Sequence, residues 1–129
     1  MNAERFARLV LRLSAAAFAG VGAAFLVAPE AMAARVGASL AGATAANDVR
    51  AVYGGLQLGV AACLAWCARR PDALRMGLAV QLFTFGGLAA ARFVSLLLDG
   101  NPGALGLALH AAEIVGFACG AVARARLPD

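Results

Sequence analysis

Four apolar runs, each close to the ~20 residues a helix needs to cross a bilayer, constrain this chain more than anything else in it. They cover roughly Leu9–Ala28, Val49–Ala68, Met76–Leu98 and Ala104–Ala123. Runs this long and apolar on every side cannot form the one-faced helices or strands of a soluble layer. The wider composition agrees: 63% of the 129 residues are apolar and only 14% are charged, whereas a soluble domain has about half and about a quarter. The expected fold is all-α, an integral membrane four-helix bundle that forms a single domain over residues 1–129.

The breaks between runs carry turn chemistry. Pro29-Glu30 ends the first, Arg69-Arg70-Pro71-Asp72 separates the second from the third, and Asp99-Gly100-Asn101-Pro102-Gly103 separates the third from the fourth. Asn47 is expected to cap the start of the second helix. The one long connection, Glu30–Ala46, begins with PEAMAARVG, which predicts a short interfacial helix broken at Gly37. Arg5, Arg8 and Arg12, an apolar run and Ala31-Met32-Ala33 together imitate a secretory signal with its cleavage site. The apolar run exceeds a usual signal core, so a retained first transmembrane helix is expected.

All eleven basic residues are arginine, and the net charge is +4. A basic balance can mark a nucleic-acid binder, but these arginines sit at the ends of apolar runs, which excludes nucleic acid as a partner. Arg5, Arg8 and Arg12, then Arg69, Arg70 and Arg75, then Arg124 and Arg126 fall on one side of a four-crossing topology. The other side has Arg35 in its loops and Arg50 at a helix mouth. The positive-inside rule therefore predicts that both termini are cytoplasmic. Trp66, at the same end of the second helix, is an expected interfacial anchor.

Three cysteines, Cys63, Cys67 and Cys119, form neither a CxxC motif nor a disulfide framework. Cys63 and Cys67 share a helix face and are expected to pack as small apolar residues. No metal site and no cofactor is expected. His110 and Glu113 lie three apart on the fourth helix, but two ligands on one helix do not make a metal centre. No phosphate loop, nucleophile elbow or haem motif is present, so the reading leans away from an enzyme.

The polar residues inside the runs align by helical period. Arg50, Tyr53 and Gln57 share a stripe of the second helix. Gln81, Phe85, Leu88, Arg92, Ser95 and Asp99 share one on the third, and His110 and Glu113 lie on one of the fourth. At a rise of about 1.5 Å per residue, Arg92 lies about 10 Å below the Asp99 mouth and Glu113 about 14 Å below the start of the fourth helix. An unpaired charge near the bilayer centre costs about 2.5–3.5 kcal/mol on insertion scales. An Arg92–Glu113 pair is therefore expected, with Arg50, Tyr53, Gln57 and Asp99 gathered round it. Gly55-x-x-x-Gly59, Gly116-x-x-x-Gly120 and the series Ala16, Gly20, Ala24 are small-residue patterns suited to close helix packing or to a homodimer seam.

The stretch NDVRAVYGGLQLG (Asn47–Gly59), ARFVSLLLDG (Ala91–Gly100) and a glutamate early in the fourth helix together resemble a bacterial membrane family known as domain of unknown function 4345, grouped with DoxX-like proteins. The resemblance covers nearly the whole chain. It carries Asn47, Arg50, Tyr53, Gly54 and Gly55 onto the first motif, Arg92, Ser95 and Asp99 onto the second, and Glu113 onto the third. It implies a multi-pass protein of the bacterial inner (cytoplasmic) membrane and no assigned reaction. Some DoxX-like relatives are subunits of quinone-linked oxidoreductases or partners of other membrane proteins.

Two roles for the polar residues stand at this point. Arg50, Tyr53, Gln57, Arg92, Ser95, Asp99, His110 and Glu113 either bind the headgroup of an amphipathic ligand, a membrane lipid or a quinone, or form a structural network that fixes helix register. A homodimer, a partner membrane protein and a place as accessory subunit beside a quinone remain open.

Overall fold

In the computed structural model, which describes residues 2–128, all four apolar runs are helical and the described residues contain no strand. Helix α1 (Ala3–Val27) begins before its apolar run does, because the Asn2 side chain caps it by accepting the Arg5 N–H at 2.8 Å. Pro29, lacking an N–H to satisfy, opens the short helix α2 (Pro29–Arg35). Gly37, at φ 77°, follows it, so the short helix stops where the sequence places its break.

The second span is continuous from Gly42 to Cys67 but not uniform. It consists of α3 (Gly42–Val49), a π-helical segment (Arg50–Gly55) and α4 (Leu56–Cys67). The expectation that Asn47 caps this helix is corrected: Asn47 is an exposed residue inside α3, and Ala41 occupies the N-cap position without a side-chain bond. The Ala-rich stretch Ala43–Ala46 propagates the helix backward past the asparagine, since alanine is the strongest helix former. Gly42, at φ 81°, marks its start.

A 3₁₀ turn at Pro71–Ala73 leads into α5 (Leu74–Asp99), and Gly100 at φ 85° separates this from α6 (Gly103–Arg126). The four candidate membrane spans are thus Ala3–Val27, Gly42–Cys67, Pro71–Asp99 and Gly103–Arg126. The architecture is an all-α bundle of four spanning helices.

The core lies toward the end of the bundle that holds the termini. There Ala7, Leu11, Ala15 and Phe18 of α1 pack with Ala61, Leu64 and Cys67 of α4, Leu74 and Leu78 of α5, and Ala123 of α6. Cys67 fills this core as a small apolar group: a Cβ added at Gly77 of α5 would come within 2.5 Å of its Cβ. The rings of Phe18 and Phe85 meet at 5.1 Å and join α1 to α5. Toward the loop end beyond Gln81, α5 contributes no fully buried residue.

Arginines secure the terminal end. Arg75 donates to the carbonyls of Leu127 and Pro128, at 3.2 and 2.6 Å from Nη2, while Arg124 donates to the Arg75 carbonyl at 3.0 Å. The start of α5 is thereby latched to the end of α6. Arg70 lies 5.0 Å above the Trp66 ring and Arg126 5.0 Å above that of Phe6, so two guanidinium planes rest on aromatic faces there.

Candidate functional site

The polar residues of the spans separate into two groups, one on each helix pair. The single convergent cluster expected from the sequence does not form.

The first group belongs to the second span. In the π-helical segment the Leu56 N–H donates to Ala51 O, five residues back rather than four, which widens the helix through RAVYGG. This segment packs on α1 at two glycines. A Cβ added at Gly22 would meet Gly54 O at 2.9 Å, and one added at Gly54 would lie 3.2 Å from the Leu26 backbone nitrogen. Two backbones approach closely only where neither carries a side chain.

The close crossing directs the neighbouring side chains toward α1. Arg50 donates from Nε to the Leu26 carbonyl at 3.2 Å, satisfying an acceptor in the last turn of α1. Tyr53 stacks on Phe25 with ring centroids 5.3 Å apart and leaves half its surface exposed. Gln57, half-buried, places its Cβ beside Gly22. Arg50, Tyr53 and Gln57 thus serve the contact between the first and second spans. The wider π turn and the small residues on α1 determine this direction, and a uniform 3.6-residue stripe does not report it.

The second group joins the third and fourth spans, and here the expected ion pair is present. Arg92 Nε donates to both carboxylate oxygens of Glu113, at 2.8 and 2.9 Å. The Glu113 side chain is 9% exposed and that of Arg92 38%. Only Nε of the guanidinium is engaged, and the two terminal nitrogens have no protein partner among the described residues.

Beside this pair lies a small cavity of about 40 Å³, lined by Arg92, Ser95, Leu96, Pro102, Gly106 and His110. Gly106 belongs there because a Cβ at that position would strike the Pro102 ring at 2.6 Å. His110 Nδ1 is buried without a hydrogen-bond partner. Ser95 donates to Asp99 at 2.8 Å nearer the mouth. Arg92, Ser95, His110, Glu113 and Asp99 therefore form one polar patch, with Leu96 and Pro102 as apolar neighbours in the cavity wall.

Gln81 is a further polar residue that the sequence places on the right stripe of the third helix without assigning it a role. It is fully buried and donates from Nε2 to the Gly116 carbonyl at 2.7 Å, while its Oε1 has no partner. Its amide fills the space that a side chain at Gly120 would take, and Phe85 does the same over Gly116. Both glycines of the Gly116/Gly120 pair thus admit large side chains from α5. Of the second-helix pair, Gly55 has only Arg50 O near an added Cβ, at 3.8 Å, and Gly59 has nothing within 4 Å. In the α1 series Gly20 is equally open, and the working contact falls instead on Gly22.

Comparison with known proteins gives one finding. The family model described as Domain of unknown function (DUF4345) matches residues 6–123. No curated protein and no solved structure matches the chain.

Proposed function

The chain belongs to the family Domain of unknown function (DUF4345) and is a small multi-pass membrane protein, and we propose that it binds an amphipathic ligand at Arg92 without chemistry of its own. The observation that carries this reading is the half-engaged guanidinium: Glu113 holds Arg92 through Nε alone, and the two terminal nitrogens make no hydrogen bond among the described residues. A group that served only to neutralise a buried glutamate would gain more from a two-nitrogen, bidentate contact.

The charges nearby select the ligand's polar group. Glu113 already balances Arg92, and Asp99 adds a negative charge toward the mouth. A full anion would meet both carboxylates, so the group that docks is an uncharged acceptor such as a carbonyl or hydroxyl. The cavity of about 40 Å³ takes only that group, since one water occupies about 30 Å³ of liquid. The remainder of the ligand lies along the apolar flanks, as a lipid or a quinone-like molecule does. His110 Nδ1 supplies the second polar contact.

The arginine distribution supports cytoplasmic termini, which makes this patch accessible from the opposite leaflet of the bacterial inner membrane. Native mass spectrometry of the gently solubilised protein tests the binding. The wild type retains a small amphiphile, and both Arg92→Gln and His110→Phe lose it. Retention unchanged by either substitution, or a wild type free of any such molecule, refutes the reading.

A further inference from the structure

An apolar groove lies on the opposite half of the bundle, between α1 and α4, and it is unrelated to the Arg92 patch. It has a volume of about 370 Å³ and is lined almost wholly by alanine, with Ala16 and Ala19 on one wall, Ala62 and Ala65 on the other, and Leu58 toward the bundle middle. These small side chains keep the two helices from filling the furrow between them.

The groove ends in charge. Arg12 lies four residues before Ala16, one helical turn along α1 on the same face, and Arg69 lies in the turn that follows α4, two residues past Cys67. Arg5 extends the α1 stripe a further two turns. Arg5, Arg12 and Arg69 are exposed, and their side chains have no hydrogen bond or ion pair among the described residues. Other arginines at this end are engaged: Arg8 with Glu4, Arg70 over Trp66, Arg126 over Phe6, and Arg75 and Arg124 in the latch. The unengaged cations at this end are thus Arg5 and Arg12 on α1 and Arg69 in the turn after α4.

We infer that this groove seats an anionic phospholipid, one acyl chain lying against the alanines and its phosphate held between Arg12 and Arg69. An apolar furrow with two unpaired arginines near its terminal end complements part of an acyl chain joined to a phosphate. Arginine suits the phosphate because its planar fork offers two parallel donors. A second copy of the chain fits the groove less well. Copies inserted in the same direction would bring Arg5, Arg12 and Arg69 to the same level as their counterparts, and like charges would face each other across the seam.

The test uses the full chain in mild detergent, titrated with phosphatidylglycerol or phosphatidylcholine of the same acyl chains and followed by native mass spectrometry. Phosphatidylglycerol binds in preference. Arg12→Gln combined with Arg69→Gln lowers its affinity about 25-fold, taking about fivefold for each arginine near the membrane surface. Ala62→Leu fills the groove and also weakens binding with both arginines intact, whereas Arg8→Gln and Arg92→Gln leave it unchanged. Circular dichroism checks that each variant is folded. Equal binding of the two lipids overturns the proposal, as does insensitivity to the double arginine variant or to Ala62→Leu. A dimer that Ala62→Leu dissociates would assign the groove to a second copy. Loss of phosphatidylglycerol on Arg92→Gln alone would move the lipid to the other site.

Discussion

Replacing Arg92 and Glu113 by leucine, singly and together, measures what this intramembrane pair contributes. Removing one member of a buried ion pair costs about 3–5 kcal/mol, because the partner is left charged and dry. The structure makes the two losses unequal. Glu113 is 9% exposed, so Arg92→Leu strands a carboxylate with little access to water; a loss of about 2–3 kcal/mol is expected, near the 2.5–3.5 kcal/mol insertion cost of an intramembrane charge. Arg92 is 38% exposed on a long flexible stem. Glu113→Leu lets it extend toward the mouth, and the loss falls to about 1–2 kcal/mol. The double variant removes both charges and stays within about 1 kcal/mol of wild type, as apolar replacements of buried pairs do. The coupling is then about 2–6 kcal/mol, measurable by reversible unfolding in mixed micelles followed by Trp66 fluorescence and circular dichroism. Losses that add to within about 0.5 kcal/mol would show that the two residues do not act as a pair and would refute the reasoning.

Other substitutions test the packing. Gly22→Ala and Gly54→Ala force a Cβ onto the facing backbone and are expected to cost about 1–3 kcal/mol in the same unfolding assay, whereas Gly20→Ala and Gly59→Ala, where an added Cβ meets nothing within 4 Å, stay within about 0.5 kcal/mol. Arg50→Met removes the donor to Leu26 O and costs about 1–2 kcal/mol, with faster amide exchange in the last turn of α1 as its local signature. Gln81→Leu discards an unsatisfied buried acceptor along with its amide donor and remains within about 1 kcal/mol of wild type, while Gln81→Ala opens a cavity and costs about 2–4 kcal/mol.

The four spans were legible in the sequence because a bilayer demands length and apolarity together, and neither depends on tertiary context. The Arg92–Glu113 pair was legible for a related reason: two opposite charges at matching depths on successive helices have little else to pair with in hydrocarbon. Helix starts were less so, since Asn47 carries the chemistry of a cap but lies in an alanine-rich stretch that continues the helix through it. The direction taken by Arg50, Tyr53 and Gln57 was not legible at all. It depends on a change of helical pitch inside RAVYGG and on Gly22, a glycine outside the small-residue series marked on the first helix. Spacing patterns identify where backbones are able to approach; which of Gly20, Gly22, Gly54, Gly55 and Gly59 is used depends on helix phases that only the folded chain fixes.

The π segment has a consequence for how this span tolerates insertions and deletions. A helix turns by about 100° per residue, so in a straight α-helix the loss of one residue rotates everything before it by that angle. A π turn holds one residue more than the α turn it replaces. Deleting Ala51 or Val52, both exposed, would let Arg50–Gly55 relax to an ordinary α-helix while Ala46 kept its buried face. The same deletion within α4 would turn Leu64 and Cys67 out of step with Gly54 and Gly22. The segment RAVYGG is thus also the place where this span can lose a residue and keep its phase.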